Sequence, residues 1–536
     1  MMDFVRKLAD RVIGVLSGFD RLLFRGMLRS VVDARGLNGY LYGAGVPMAD
    51  FKEHAQEVTQ RLQEESLRHA RQIGCEIRYL ESSQERKKDL AQEIAQRDGI
   101  RDGLICVLRC VEPCTTFHVR RDRSTKTIAL ERRPGKCLHL YHYYDHPQFG
   151  LMHVRLQTWF PFNLQICLNG REWLVKELKK ADIGYLRHDH YVHHVDDLAA
   201  AQRLLDEQLN VSWPTLLKDL ARQVHPAHDA IFANCPEHIR DYYWSVAESE
   251  WASDVLFRDP RDVFPLCERL AAYSLRMHGA ADVMRFFGRP LRADGQPKAN
   301  FRGEIHSDAL AFAEGIRIKH WLDQNSAKLY NQFVLRFEAT INNPALFKVP
   351  RPTEKDPDGP WQWLRMRKGI ADLHRRAQVS QGINNRFATA QAAALDDQTE
   401  AVKEVAKGVC QRVIRPGRLK ADGTSTRPRS FRALNPLSPD DIQLLTIVAN
   451  PKFVISDLRN KDLRRELYGE DPTDAKEKRR RSAKVGRKLA MLRAHGILEK
   501  LPKGHRYRIT PTGRQALTVL LGAANASTNE ILKLAA

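Results

Sequence analysis

The sequence predicts an α+β multidomain body followed by a separate C-terminal unit of helices and one β-hairpin. Three observations carry this expectation. At 536 residues the chain is too long for one ordinary core. Segments of helical periodicity alternate with segments rich in β-formers through residue 414. Residues 415–437 are dense in Pro, Gly, Arg, Ser and Thr and nearly empty of apolar side chains, which reads as a basic flexible linker.

Residues 1–200 read as an α+β domain. Residues 11–28 are mildly amphipathic, interrupted by Asp20, Arg21 and Arg25, and residues 49–73 place Phe51, Ala55, Val58, Leu62 and Ile73 at helical spacing. The chain to about residue 98 is therefore expected to be mostly helix, with a short strand at 77–80. Strands are expected at 104–108, 116–120, 127–130, 137–144, 151–157 and 164–168, separated by polar or Pro/Gly punctuation. Asn169-Gly170 then turns the chain into a helix over 172–181. Residues 201–414 read as a helical region that takes in Asp241-Tyr-Tyr-Trp-Ser-Val-Ala and a periodic segment over 263–287, ended by Gly288 and Pro290. A small three-stranded meander interrupts it at 315–321, 327–330 and 334–341.

After the linker, residues 438–523 open with Ser438 as N-cap, Pro439 at the first helical position and Asp440 and Asp441 in the first turn. A second helix is expected over 456–467 and a third over 475–495. The third carries Lys476, Lys478, Arg479, Arg480, Arg481, Lys484, Arg487 and Lys488, then the core residues Leu489, Leu492 and Ala494. Two strands, 497–501 and 505–510, are joined by Pro502-Lys503-Gly504; a last helix follows, and 524–536 is expected as a tail. This is the element order of a winged helix-turn-helix domain. Leu492-Arg-Ala-His-Gly-Ile-Leu-Glu-Lys and Arg506-Tyr-Arg-Ile-Thr-Pro-Thr-Gly-Arg resemble the recognition-helix end and wing of bacterial transcription regulators of the MarR type. The resemblance covers about the last 85 residues and implies DNA binding. The basic helix would enter the major groove with Arg479, Arg480, Arg481, Lys484, Arg487 and Lys488, while Lys503, His505 and Arg506 on the wing reach the adjacent backbone. A charge run is more often a solvated face; here it falls on the helix that this fold turns outward.

Composition agrees with a polyanionic partner: 86 Lys and Arg against 65 Asp and Glu give a net charge of +21. No run of 18 apolar residues exists, so no spanning helix is expected, and the first residues lack a signal-peptide core. Nine scattered cysteines, an odd number, read as reduced thiols. The expectation is a cytoplasmic protein, not bound to a membrane, whose partners are duplex DNA and, for the body, single-stranded DNA or RNA. A homodimer is the form a regulator would take. No cofactor is expected, and a divalent metal enters only if the body is a nuclease.

In the meander, alternation puts Arg317, Lys319 and Trp321 on one face of a strand, Lys328 and Tyr330 on one face of the next, and Arg336 and Glu338 on one face of the third. Tyr330 beside Lys328 resembles the lysine–tyrosine strands of rolling-circle initiators, and the body resembles uncharacterised bacterial proteins of mobile-element-like distribution. Neither resemblance carries over a catalytic residue. The favoured reading is a face that holds phosphates through Lys328 and Arg336; a nuclease or strand-transferase with Tyr330, Glu338, Asp323 and Asp20 as catalytic candidates is the alternative. Metal-dependent chemistry needs convergent carboxylates, for which Asp20, Glu131, Asp145, Glu172, Glu304, Asp323 and Glu338 are available. Gly18-Phe-Asp-Arg and Asn169-Gly-Arg-Glu-Trp look like site-forming turns, or plain helix boundaries. His188, His190, His193 and His194, and Cys106, Cys110 and Cys114 with Cys137, His139 and His142, match no zinc spacing. No Walker loop, dinucleotide fingerprint or serine elbow is present. A transcription regulator with a sensing body is the third reading.

Overall fold

The computed structural model describes residues 1–122, 124, 127–189, 191–293, 297, 301–312, 315–395, 407–416, 427–450, 453, 457–502 and 505–535, the side chains only as far as Ala524. The chain forms two compact units, and neither follows the expected borders at 200 and 414. The first comprises Met1–Pro265, Phe286–Gly288 and Phe312–Ala388; the second comprises Leu266–Arg285, Arg289–Ala311 and Thr389–Ala536.

In chain order the strands are β1 (Val12–Leu28), β2 (Glu76–Leu80), β3 (Gly103–Asp122), β4 (Thr127–His146), β5 (Gly150–Gln157), β6 (Leu164–Asn169), β7 (Tyr185–His188), β8 (Tyr191–Val195), β9 (Tyr242–Phe257), β10 (Ile305–Phe312), β11 (Gly315–Leu322), β12 (Asn325–Asn331) and β13 (Leu335–Ile341). In the first unit they lie side by side in the order β11-β12-β13-β9-β1-β6-β5-β4-β3-β2, with β7 and β8 paired separately as a hairpin. The mixed α and β content agrees with the expected class. The expected meander is present, but as one end of this large sheet and not as a free-standing piece.

One face of the sheet packs on helices Phe51–Gln72, Trp213–Val224 and Leu373–Ala392 through Phe19, Leu22 and Phe24 of β1 and Trp244, Val246 and Trp251 of β9. The opposite face is covered at one end by helices Gly170–Lys180 and Leu198–Asp206 with the β7–β8 hairpin. Helix Lys87–Arg97 covers it at the other end.

Two expectations fail in this unit. Residues 11–28 and 241–257 are not helices but the two central strands, β1 and β9. Their pairing shifts by one between Phe19↔Trp251 and Arg21↔Glu250, which makes Asp20 an extra residue, and again between Leu23↔Glu248 and Phe24↔Val246, which makes Ala247 extra. Each is a β-bulge. Phe19 and Leu22 therefore share one face across the bulge, and with Leu16 buried on the opposite face the buried residues recur three apart in imitation of a helix. The strands expected at 104–108 and 116–120, and at 127–130 and 137–144, are single long strands, β3 and β4.

In the second unit, helices Pro439–Val448, Asn460–Tyr468, Ala475–Ala494 and Pro511–Ala535 surround a three-stranded sheet in which Arg506–Ile509 lies between Leu458–Arg459 and Leu498–Lys500. Leu444, Leu445, Val448, Leu463, Val485, Leu489, Leu492, Ile497 and Leu517 form its core. The second helix starts at Asn460 behind a two-residue strand; the residue expected to open it, Ser456, lies outside the described residues. The expected tail is instead the end of the last helix.

The expected linker is anchored at both ends. Val413–Arg415 pairs with Arg429–Phe431, Leu434 is buried, and Arg432 binds the buried Asp441 at 2.6 and 2.7 Å. Residues 417–426 lie outside the described residues. Among those described, no helix is long and apolar enough to cross a membrane.

Candidate functional site

The bulge in β1 sets the site. An extra residue turns both Asp20 and Arg21 to the same face, where regular alternation would separate them. On β9 the acids Glu248, Glu250 and Asp254 stand at alternate positions, with Ala252 between the last two, and so share the face opposite to Ser249, Trp251 and Ser253. β13 pairs beside β9, with Glu338 opposite Ala252 and Arg336 opposite Asp254. β12 then places Lys328 opposite Glu338 and Tyr330 opposite Arg336. The words Gly18-Phe-Asp-Arg and Asn169-Gly-Arg-Glu-Trp meet here. The Asn169 side chain caps the helix by accepting from the Arg171 and Glu172 N–H groups. Gly170 lies so close that a Cβ would fall 1.9 Å from the Phe19 carbonyl oxygen. Arg171, 2 % exposed, reaches under the sheet to Asp254 at 3.0 Å and lies 3.7 Å from Asp20.

The result is a nearly closed ionic lattice. Arg336 donates to both Asp254 oxygens at 2.5 and 2.9 Å and to Asp20 at 2.9 Å, with its guanidinium 4.5 Å from the Tyr191 ring. Lys328 donates to Glu338 at 2.5 Å and to Glu250 at 3.1 Å; Tyr330 Oη donates to Glu338 at 2.5 Å. Arg21 bonds Glu248 and lies 3.2 Å from Glu250. Five carboxylates thus face four cations. Burial, and then the neighbouring Glu338, push the Glu250 carboxyl up despite Lys328. Burial opposes charge on Lys328, yet Glu338 and Glu250 outweigh it and hold the ammonium above its ordinary value. Burial and Glu338 raise the Tyr330 phenol well above its ordinary value. One carboxylate oxygen each from Asp20, Glu250 and Glu338 lie within 4.8 Å of one another, the spacing of a metal-binding set.

Of the sequence candidates, Asp20, Glu338, Tyr330, Lys328 and Arg336 converge. Asp323 does not: it occupies the two-residue turn between β11 and β12 at φ 51° and is outside the carboxylate group. Glu131 pairs with Arg120 and Arg133, Asp145 with Lys176, Glu172 with Arg187, and Glu304 lies 3.9 Å from His306, all outside the group. Arg336 is buried with both guanidinium edges held by carboxylates, which overturns its reading as a phosphate contact. Lys328 likewise spends its ammonium on two glutamates. Glu250, Glu248 and Asp254 were not among the candidates, because their segment reads as helix; the acid at every second position was the available signal.

Neither the histidine nor the cysteine cluster brings three ligand atoms together among the described residues. His188 and His193 stack on Phe333 at 4.2 and 5.4 Å, and His190 lies outside the described residues. Cys106 and Cys110 are buried thiols, and His142 is on the other face of β4, bonded to Ser66.

In the second unit the Asp474 side chain caps the long helix by accepting from the Lys476 and Glu477 N–H groups. Arg479, Arg480, Lys484 and Arg487 are exposed on it, and Lys488 is half-buried. Arg481 departs from the expectation: its guanidinium is turned back onto Glu477 at 3.1 Å and the Tyr468 carbonyl at 3.3 Å. The preceding helix is locked to this one by Asn460, whose side chain donates to the Ser482 carbonyl and accepts from its hydroxyl, both at 3.1 Å. His505 and Arg506 line a recess of about 670 Å³ beside that junction with Lys461 and Arg464; Lys503 lies outside the described residues. Comparison of the chain with protein-family models, with curated proteins and with solved structures returned no match.

Proposed function

We propose that this protein docks on duplex DNA through helix Ala475–Ala494 of its second unit, a winged helix-turn-helix. One observation carries the reading. The order helix, short strand, helix, long helix and hairpin, with the last hairpin strand in the middle of the sheet, turns outward a helix that bears Arg479, Arg480, Lys484 and Arg487 unburied. A helix of this kind fits the major groove, and its arginines neutralise phosphates or read guanine edges. His505 and Arg506 stand where a wing meets the neighbouring backbone. Fluorescence anisotropy with a labelled duplex tests this. Replacing Arg480 and Arg487 by Ala removes two contacts and should lower the slope of log K against log salt by about 1.8. Between 50 and 200 mM salt, the wild-type advantage then shrinks by roughly tenfold. Arg481→Ala serves as the internal control, because its half-buried guanidinium is held by both Glu477 and the Tyr468 carbonyl, whereas Arg480 is exposed and shares only Glu477. An unchanged slope in the double variant removes this helix from the interface.

A second reading is favoured by the excess carboxylate in the first unit. Asp20, Glu250 and Glu338 would hold a divalent cation for phosphodiester chemistry, supplying Lewis-acid charge at a phosphate oxygen. The chain's own part is to press three acids together and to keep Lys328 protonated beside them. Manganese titration calorimetry on the wild type and Glu250→Gln, with a nicking assay on plasmid DNA, tests it. Equal heats from both proteins would exclude the site.

A further inference from the structure

On the same face as the carboxylate cluster, β1, β6, β5 and the paired β3 and β4 enclose a cavity of about 350 Å³. Arg25, Arg132, Arg155, Gln157, Asn163 and Gln165 line it, and no carboxylate does. Arg25 and Arg132 are exposed and make no ion pair among the described residues. Arg155 is fixed: it donates to Gln165 at 3.0 Å and to the buried Glu112 at 2.8 Å. Its Nε, and the Asn163 side-chain Oδ1, are buried without a hydrogen-bond partner. Gln165 is the register partner of both Arg25 and Arg155, so these three side chains stand abreast on adjacent strands. Arg25 follows Arg21 by four residues on one face of β1, which puts the cavity about 13 Å along the strand from the acids.

We propose that this cavity is a phosphate subsite for single-stranded nucleic acid, in which Arg25 and Arg132 grip a backbone phosphate and the fixed amides meet the attached nucleotide. The inference deepens the nucleic-acid reading by assigning the first unit a ligand and a place to hold it. Two exposed guanidinium groups without a facing acid, beside a third held by Glu112, make a site for a concentrated negative charge, and a planar donor fork matches phosphate geometry. Gln157 is fixed by donating to the carbonyls of Thr115, Trp159 and Phe160 and accepts from Asn163 at 3.3 Å, so the polar wall is set before a ligand arrives. The volume admits one nucleotide and is too narrow for a duplex. The cavity and the cluster share one face of β1, so a strand running along β1 would lie across both.

The test uses the full chain, a labelled twelve-nucleotide thymidine oligonucleotide and a labelled duplex. Arg25→Ala with Arg132→Ala should weaken single-strand binding at least tenfold and lower its salt slope by about 1.4, with duplex binding unchanged. The Lys–Lys version of the same pair should retain most of the affinity, because the charge stays. Arg480→Ala with Arg487→Ala should do the reverse, losing duplex and keeping single strand, so failure of the winged-helix reading and failure of this one register on different ligands. Single-strand binding equal to wild type in the Ala–Ala variant would overturn the proposal. So would competition by thymidine 5′-monophosphate or inorganic phosphate at the concentration that the oligonucleotide needs, which would make the cavity a site for a free phosphate compound.

Discussion

Arg336→Met is the substitution that most directly probes the ionic lattice. Methionine keeps the stem volume and removes the guanidinium that donates to both oxygens of Asp254 and to Asp20. Asp254 is 3 % exposed and Asp20 21 %, so two acids are left with Arg171 as their shared cation. Stranding buried charge in this way costs about 3–5 kcal/mol. The lower end applies here, since Arg171 remains at 3.0 Å from Asp254 and Asp20 retains contact with water. A loss of about 3 kcal/mol is a large share of a typical domain's 5–15 kcal/mol. Urea unfolding followed by tryptophan fluorescence reads it as a midpoint lowered by about 1–3 M for a slope of about 1–3 kcal/mol/M. Adding Asp254→Asn to Arg336→Met should recover most of the loss, because the stranded charge goes with its partner. A single variant as stable as the wild type, or a double variant less stable than the single, would refute the view that these charges hold β13, β9 and β1 together.

Two further outcomes follow from the same geometry. Tyr330→Phe removes a hydrogen bond to a carboxylate and should cost about 1.5–3 kcal/mol, while leaving no covalent DNA adduct to lose, because a phenol held well above its ordinary pKa is a poor nucleophile; a tyrosine-dependent adduct on a denaturing gel would contradict this. Burial lowers His142 and His153 to about 4 and His225 to about 3. The folded pKa lies below the unfolded value of about 6.5, so the stability these groups confer is complete above that pH and is lost as pH falls toward 4. Each of the first two then contributes about 3 kcal/mol. Urea midpoints should be level above pH 7 and fall steeply from 6.5 downward, and equal midpoints at pH 5 and pH 7 would contradict it.

The meander and the C-terminal elements were legible because their apolar residues keep one period throughout: Ile318, Leu322 and Leu329 alternate, and Leu489 and Leu492 recur at helical spacing. β1 and β9 were not legible, because each changes phase partway. Leu16, Phe19 and Leu22 all point to buried environments three residues apart, across a bulge that no composition rule announces. The site inherited that blindness. Asp20 and Glu338 could be named as candidates, but the strand that joins them carries Glu248, Glu250 and Asp254 and reads as helix. The linker misled differently. Its arginines look solvated, yet Arg432 neutralises Asp441 at the start of a helix, a pairing of residues nine apart that only the fold reveals.

The positions of Asp20 and Ala247, two of the three places where the β1–β9 register shifts, bear on how the chain tolerates changes in length. β6 pairs with β1 only from Arg21 onward, and β13 pairs with β9 only from Ser249 onward. Asp20 and Ala247 therefore each sit just outside the point where a third strand joins, Asp20 in a stretch paired with β9 alone and Ala247 beside an isolated bridge from Ser245 to Gly369. Deleting Asp20 would make Phe19↔Trp251 and Arg21↔Glu250 consecutive rungs, with every other rung unaltered and each apolar side chain on its original side. Loss of one codon at that point would strip an acid from the cluster without displacing the scaffold, whereas the same loss at Glu250 or Glu338 would slip ladders on both flanks. One-residue indels at position 20 are thus a way to remove and restore one acid of this face while the sheet stays the same.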